Sequence, residues 1–359
     1  MNLTDILTIC FQSNLPFFSY RMPRSSDVRT GIQLSTNVAI FCHSLPQSAG
    51  FLVAPFDESS SAKCFFIQQD ISLLNHTISD ADLELIQSAK QTHQSIDDSF
   101  YDISKEEYLQ QASFLIDKLQ QNELRKVVLS RTIHQSDFNI EDAVQIFEKL
   151  THTYPNAFVS LFHIPGVCCW MGATPETLLK AHSHKVETMS LAGTKPAAAE
   201  AQWSNKEREE QQMVSDYVAT VLNEFPFSEI TIEGPQDLVA GNMCHLVTIY
   251  TCNGALEAES LFQLIETLHP TPAVCGLPKE QSKLLIHNTE QHDREYYAGY
   301  IGPISENGCD LFVNLRCMKL TDDGITLYVG GGITAQSIAE AEWQETCLKA
   351  ETLLRIIKN

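Results

Sequence analysis

Two separated stretches of the sequence each carry a Glu-x-x-Glu pair on a helix face that is otherwise apolar. The first pair is Glu207 and Glu210, and the second is Glu342 and Glu345. Apolar residues continue each face at helical spacing, so the carboxylates are expected to project toward the buried side. Because burying an unpaired carboxylate is costly, two such pairs predict a bound cation. Oxygen ligands from two helices suit Mg²⁺, which often shares its coordination shell with water and an anionic substrate.

Glu207 also fits a second interpretation. It follows Ser204 by three residues, which is the spacing of a helix capping box, and Ser337 begins a similar pattern before the second pair. Acidic residues are also common in a first helical turn because they complement the helix dipole. Glu210 and Glu345 lie deeper than a capping box reaches, so they are the stronger ligand candidates.

Two further residues have the chemistry of a base and an acid. Lys126 starts an apolar strand, where it is either a solvated edge residue or a lysine held in a cleft as a general base. Glu176 follows Thr174-Pro175, which is a common helix start with threonine as N-cap. The functional alternative for Glu176 is a carboxylic acid among apolar neighbours, with its pKa raised so that it can donate a proton.

Several segments could bind an anion. Gly193-Thr194 and the triple glycine centred on Gly331 are expected to be loops at strand ends, whose backbone N–H groups can receive a carboxylate. Arg316 is predicted to lie within a strand near 310–320, where its guanidinium can bind a carboxylate through two hydrogen bonds.

Composition limits the possible partners and compartment. The chain has 359 residues, 43% of them hydrophobic and 19% charged, which is enough for a sizeable core and argues against disorder. The formal net charge of −21 disfavours binding to nucleic acid or to an anionic membrane. Eleven irregularly spaced cysteines indicate reduced thiols. With no signal-peptide pattern and no apolar run long enough to span a membrane, a cytoplasmic protein is expected.

The order of predicted elements indicates an α+β fold with mostly antiparallel strands. A helix is predicted to open at Ser104 with a capping box, and hairpin turns are predicted at 305–308 and 322–324. No linker divides residues 1–359, so a single large domain is expected. Strands are predicted near 126–133, 157–163, 167–172, 185–191, 229–233, 245–252, 297–304, 310–320 and 325–330.

Taken in order, these segments resemble the chorismate-utilising enzymes, a family that includes isochorismate synthase, salicylate synthase, anthranilate synthase component I and aminodeoxychorismate synthase component I. The resemblance covers residues 105–359 as a chorismate-binding catalytic core, whereas residues 1–104 are a divergent N-terminal portion. It implies a large two-sheet core flanked by helices. The matching motifs are Lys126 to Arg131, Gly172 to Glu176, Leu191 to Thr194, Lys206 to Met213, His269 to Pro272, Arg316, and Gly330 to Glu345.

Three positions favour one branch of this family. Ammonia-using members have glutamine where this chain has Lys126, and lysine there implies that water is the nucleophile. Ala192 stands where aminodeoxychorismate synthase has a nucleophilic lysine, and the loop 269–279 departs from the ammonia-using pattern. The resemblance therefore points to isochorismate synthase, with salicylate synthase as the nearest alternative. An ammonia-using synthase and a silent chorismate-binding homologue are weaker alternatives.

The resemblance also implies a role for each candidate residue. Lys126 is expected to be the general base for water attack at C2 of chorismate, and Glu176 the general acid for the leaving C4 hydroxyl. Mg²⁺ is expected on Glu210 and Glu345, with Glu207 and Glu342 close by. No glutaminase subunit is expected, and the chain is expected to be a monomer or weak homodimer. The product could feed menaquinone or siderophore synthesis. The implied substrate-binding residues are Gly193, Thr194, His269, Arg316, Tyr328, Gly331 and Lys349.

Overall fold

The structure is a computed structural model. It describes residues 3–41, 44–46, 48–75, 77–89, 91–92, 94–96, 100–121, 124–136, 138, 142–197 and 202–358. Within these residues, no helix combines the length and the apolar composition needed to span a membrane.

Eight helices lie in the described part of the chain. Helix α3 confirms the predicted capping box, because Ser104 accepts a hydrogen bond from the backbone of Glu107 and the Glu107 carboxylate accepts one from Ser104 N. The second predicted box is wrong: the helix that follows Ser337 has Ile338 as its N-cap, without a side-chain cap. The helices are α1 (Leu3–Ser13), α2 (Asp80–Ser88), α3 (Lys105–Gln120), α4 (Ala143–Thr153), α5 (Asn205–Asn223), α6 (Ala258–Leu268), α7 (Lys279–Thr289) and α8 (Ala339–Ile357).

The strands agree with the prediction in most places and differ in two. The expected strand near 310–320 is two strands, and Arg316 lies between them with φ of +48°. The segment after Thr174 begins a strand rather than a helix. The strands are β1 (Phe17–Arg21), β2 (Val28–Ile32), β3 (Ala39–Ile40), β4 (Gly50–Ala54), β5 (Phe65–Gln68), β6 (Ile71–Leu74), β7 (Lys126–Gln135), β8 (Phe158–Ile164), β9 (Cys168–Thr174), β10 (Thr177–His182), β11 (Lys185–Pro196), β12 (Glu229–Ala240), β13 (Met243–Asn253), β14 (Gly276–Leu277), β15 (Tyr300–Ser305), β16 (Gly308–Val313), β17 (Cys317–Thr321) and β18 (Gly324–Ile333).

These strands form two large sheets, and every recorded pairing is antiparallel. Sheet A has the order β14-β7-β18-β17-β9-β8-β1-β2-β6, and sheet B has the order β12-β13-β11-β10-β16-β15-β4-β5-β3. Both predicted hairpin turns are confirmed, since Ser305 pairs with Gly308 and Thr321 pairs with Gly324. The α+β class with an antiparallel two-sheet core is therefore confirmed.

The N-terminal strands are part of both sheets. In sheet A, β1 pairs with β8, and in sheet B, β4 pairs with β15. Side chains from the two sheets meet in a common core, where the Phe158 and Phe312 rings stack with centroids 4.0 Å apart. Residues 17–74 thus extend the same sheets that the catalytic-core motifs build.

The helices that carry the paired glutamates lie beside the strands that carry the other motifs. Helix α5 packs against β11, and α8 packs against β18 and α3. Because β18 also pairs with β7, the strand that starts at Lys126 is brought next to the glycine-rich strand. This arrangement gathers four distant segments at one end of sheet A.

Candidate active site

A cavity of about 790 Å³, its open mouth included, lies where these four segments meet. Most of the predicted site residues line it, although they are separated by up to about 170 positions in the chain. The predicted residues on its wall are Glu176, Gly193, Thr194, Glu210, Arg316, Tyr328, Gly331, Glu345 and Lys349.

Lys126 lies directly behind this wall. Its side chain is 1% exposed, and its Nζ atom lies 2.8 Å from Oε1 of Glu210 on α5. Gly332 makes room for the ion pair, because a Cβ atom there would lie 2.7 Å from Cε of Lys126 and 2.7 Å from Oε1 of Glu210. This burial shows that the interpretation of Lys126 as a solvated edge residue is wrong, whereas its role as a general base stays a prediction.

Glu176 lies in the short connection between β9 and β10 and is 2% exposed. Burial raises the pKa of its carboxyl group to about 8, although the charges of Lys126 and Lys349 and a hydrogen bond from Thr271 act in the opposite direction. A carboxyl group with this pKa is protonated at neutral pH and can donate a proton. The helix-start interpretation of this segment is wrong, because no helix follows Pro175.

The paired glutamates of the two helices meet lysines. Oε1 of Glu342 accepts a 2.7 Å hydrogen bond from Lys206, and Oε1 of Glu345 lies 2.8 Å from Nζ of Lys349. Burial and the nearby charge of Glu345 raise the pKa of Glu342, and Lys206 offsets part of this effect. Three carboxylates at or beside the cavity are thus each paired with one lysine, since Lys126 does the same for Glu210.

The triple glycine is predicted to be a loop at a strand end, and this prediction is wrong. The structure shows it as part of β18. Its backbone pairs with β7, whereas β17 stops pairing with β18 at Tyr328 and leaves the other edge open. Lys349 donates a 2.8 Å hydrogen bond to the carbonyl of Gly330 at this edge. Gly193 is likewise inside β11, at a bulge where its φ is +67°. Both glycine segments therefore shape the wall by lacking side chains.

The donor set fits a hard divalent cation. A Cβ atom on Gly331 would lie 3.6 Å from Oε2 of Glu342 and 3.8 Å from Oε1 of Glu345, so the missing side chain leaves space beside two carboxylates. Carboxylate oxygens are the ligands that Mg²⁺ takes. Among the described residues, no three acidic, histidine or cysteine side chains are gathered closely enough to hold a metal by themselves. Water and a bound anion would have to complete the coordination shell.

Arg316 is held by a histidine that the sequence interpretation missed. Nη2 of Arg316 donates to Nε2 of His245 at 2.6 Å, and Nη1 donates to the carbonyl of Ala240 at 2.8 Å. Nδ1 of His245 then donates to the carbonyl of Gly193 at 3.0 Å. Burial and the neighbouring Arg316 lower the pKa of His245 well below its usual value, which keeps the ring neutral. No local motif marks His245. In the sequence it is simply one of the residues of the strand predicted near 245–252.

Four predicted residues are not on the cavity wall: Lys126 and Glu342 lie beside it, whereas Glu207 and His269 are engaged elsewhere. The Glu207 carboxylate accepts a 2.9 Å hydrogen bond from the backbone N–H of Ser204 and another from the Ser204 hydroxyl. Glu207 therefore caps α5, as the capping-box interpretation predicts. Nε2 of His269 donates to the carbonyl of Phe56 at 2.9 Å, and the ring lines a different cavity beside Tyr300. The segment after His269 does reach the site, because Ala273 and Val274 line the cavity.

Aromatic rings form the remaining side of the cavity. Tyr297 and Tyr328 both line it and stack with ring centroids 5.7 Å apart. Gly330 makes room for Tyr297, because a Cβ atom there would lie 2.7 Å from the tyrosine hydroxyl. The cavity thus joins an aromatic wall, a protonated acid, a lysine, an arginine and two further carboxylates, which suits a small charged molecule with a ring.

The fold and this site define a two-sheet α+β protein with a pocket of charged and aromatic side chains. The family model described as "Chorismate binding enzyme" matches residues 58–358, and the chain belongs to this family.

Individual relatives carry more specific names. The chain is 31% identical over 246 residues to isochorismate synthase EntC of Escherichia coli (strain K12), covering 64% of this chain and 62% of that relative. It is 30% identical over 252 residues to isochorismate synthase DhbC of Bacillus subtilis (strain 168), covering 65% and 63%. The match thus spans less than two thirds of these curated relatives. The structure of MenF, the menaquinone-specific isochorismate synthase from Escherichia coli, has the same fold, with a TM-score of 0.78 at 20% identity over 97% of this chain and 90% of that one.

Proposed function

We propose that this protein is an isochorismate synthase, which converts chorismate to isochorismate. The observation that carries the proposal is the buried carboxyl of Glu176, whose pKa of about 8 keeps it protonated in a cavity that Lys126 approaches from behind. An acid and a base acting on one ring need to be held in opposite protonation states. The names of the relatives support the same reaction.

The proposed reaction moves two protons. Lys126 takes a proton from water as the water oxygen attacks C2 of chorismate, and Glu176 gives its proton to the hydroxyl that leaves C4. The ring double bonds shift between these carbons, and isochorismate results. One water molecule is consumed at C2 and one is released from C4, so the reaction needs no oxidant and no ammonia.

Substrate binding is assigned to the cations on the cavity wall. Arg316 and Lys349 hold the carboxylates of chorismate, together with the backbone near Gly193 and Thr194, and Tyr328 forms part of the wall. These local positive charges counter the net charge of −21, which by itself repels an anion.

Mg²⁺ is proposed as the cofactor. Glu210 and Glu345 would hold it, with Glu342 close enough to act through water, whereas Glu207 is committed to its cap. When bound, the cation would neutralise charge on the ring carboxylate of the substrate.

The proposed cellular setting follows from the chemistry. A reaction that uses water needs no glutaminase subunit. The described cysteines are all free thiols, which suits a reducing compartment, and we place the enzyme in the cytoplasm.

The test is to incubate the purified protein with chorismate and Mg²⁺, without ammonium, while products are separated by chromatography and pyruvate is assayed. Isochorismate without pyruvate, lost on addition of EDTA, is expected. Salicylate with pyruvate would instead identify a salicylate synthase. Binding of chorismate without conversion would identify a silent homologue.

A further inference from the structure

Arg294 is a buried arginine that no step of the proposed reaction uses. It is 3% exposed and follows α7, outside the cavity wall. Its Nε and Nη2 atoms donate to the two carboxylate oxygens of Glu290 at 2.8 and 2.6 Å. This two-point ion pair fixes the plane of the guanidinium group.

The other N–H groups of Arg294 reach two separate parts of the cavity wall. Nη1 donates to the carbonyl of Val274 at 2.9 Å, and Nη2 donates to the carbonyl of Val128 at 2.9 Å. Both valines line the cavity. Val128 lies two residues after Lys126 on β7, and Val274 shares the cavity wall with Glu176.

Glu290 attaches the same group to β7 a second time. Its Oε1 atom accepts hydrogen bonds from the backbone N–H and the hydroxyl of Ser130 at 2.6 and 2.9 Å. The guanidinium also lies 5.9 Å from the ring centre of Tyr297 on the cavity wall and 4.4 Å from that of Phe56 behind it. Arg294 is thus a single rigid group that joins the strand of the base, the segment beside the acid, and an aromatic wall.

We propose that Arg294 is a positioning residue that sets the separation between Lys126 and Glu176. The inference rests on the proposed function, because it assigns those two residues as base and acid. Arg294 touches neither of them, so it acts through the backbone of Val128 and Val274. Lysine could not replace it, since an ammonium group is a point donor without the planar fork that serves four acceptors at once.

The test is Arg294→Lys, with Arg21→Lys as the matched control. Arg21 is also 3% exposed and also donates to backbone carbonyls, among them those of Pro155 and Ala157, but it lies on β1 away from the cavity. Both variants are expected to lower the melting temperature. Only Arg294→Lys is expected to lower kcat, by about tenfold or more, with KM for chorismate within about twofold of wild type, because a small misplacement of reacting groups is costly.

Hydrogen exchange supplies a readout that does not depend on turnover. Arg294→Lys is expected to speed amide exchange in 126–130 and 271–277 and to leave β11 unchanged, and Arg21→Lys is expected to leave all three segments unchanged. If Arg294→Lys does not fold, Glu290→Gln replaces it, because it keeps the shape of the pair and removes its charge.

The outcomes separate the two proposals. Wild-type protein that forms no isochorismate overturns the proposed function and the positioning role of Arg294 with it, whatever the exchange data show. An active wild type with an unchanged kcat in Arg294→Lys overturns the positioning role alone. An equal fall of kcat in Arg21→Lys also overturns it, because the effect would then follow stability rather than position.

Discussion

Arg316 and His245 form a 2.6 Å hydrogen bond in which the histidine must be the acceptor, because the guanidinium has only donors. Nδ1 of His245 therefore carries the ring proton and donates a hydrogen bond to the carbonyl of Gly193. One neutral imidazole thus fixes both a cation and a backbone bulge on the wall of the cavity.

Replacing His245 with phenylalanine is expected to weaken substrate binding. The change removes the acceptor of Arg316 and leaves the Gly193 carbonyl without its partner, which costs about 1–3 kcal/mol for each buried polar group. Steady-state kinetics should show KM for chorismate raised about tenfold, with a smaller change in kcat. An unchanged KM would contradict the role given to Arg316.

Replacing Glu176 with glutamine removes the proton donor and keeps the shape of the side chain. Turnover is expected to fall by about 10²–10⁴-fold, which is the usual contribution of a general acid. In the wild type, the rate should also fall above about pH 8, where Glu176 loses its proton. A pH–rate profile measured on both proteins checks this, and a wild-type rate that stays flat to pH 9 would contradict the assignment.

The same residue predicts how stability depends on pH. The folded-state pKa of about 8 is above the ordinary value of 4.5, so between these values only the folded state keeps the proton. Stability is therefore highest below about pH 4.5 as far as this group is concerned, and it is lost as the pH rises toward 8. The melting temperatures of Glu176→Gln and wild type should be measured from pH 5 to 8.5. The difference, variant minus wild type, should increase as the pH rises, because only the wild type loses this contribution.

Lys126→Ala is expected to abolish turnover, with a loss of about 10²–10⁴-fold. Lys319→Met is a matched control, because Lys319 is also a buried lysine of sheet A and donates to Glu295 at 2.9 Å. Both variants remove a buried ion pair and should lower the melting temperature. Equal losses of activity in the two variants would show that the role of Lys126 is structural.

The metal assignment separates ligands from the cap. Glu210→Gln and Glu345→Gln are each expected to weaken Mg²⁺ binding by about tenfold or more, measured by calorimetry, because each removes a charged ligand. Glu207→Gln should bind Mg²⁺ as the wild type does, since glutamine also completes a capping box. Weakened binding in Glu207→Gln alone would reverse these roles.

Neighbouring glycines of β18 offer a steric test. A methyl group on Gly332 would lie 2.7 Å from Lys126 Cε and Glu210 Oε1, whereas one on Gly331 would meet its nearest neighbours at 3.6 Å or more. Gly332→Ala should therefore lose at least about tenfold of the wild-type activity, because near-attack geometry is sensitive to small displacements. Wild-type activity in Gly332→Ala would show that the Lys126–Glu210 pair is not needed.

Local signals predicted some parts of this molecule and not others. The hairpin turns and the α3 capping box depend on residues close in sequence, and they are confirmed. The prediction that Arg316 lies inside a strand is wrong. Its left-handed backbone follows from its place in the connection between β16 and β17 rather than from its own residue type. The orientation of His269 depends on a carbonyl of Phe56, more than two hundred positions away. Such contacts across the two sheets leave no periodic pattern in the sequence.

The position of β7 between β14 and β18 has a consequence for synthesis of the chain. Its last partner, β18, begins about 190 residues after β7 ends. At about 5–20 residues per second, the ribosome needs about 10–40 s to deliver it. During that interval the apolar strand that starts at Lys126 has an open edge, which is a state prone to aggregation. We therefore expect yield from expression to improve at lower synthesis rates or with added chaperones, more than the stability of the finished protein would suggest.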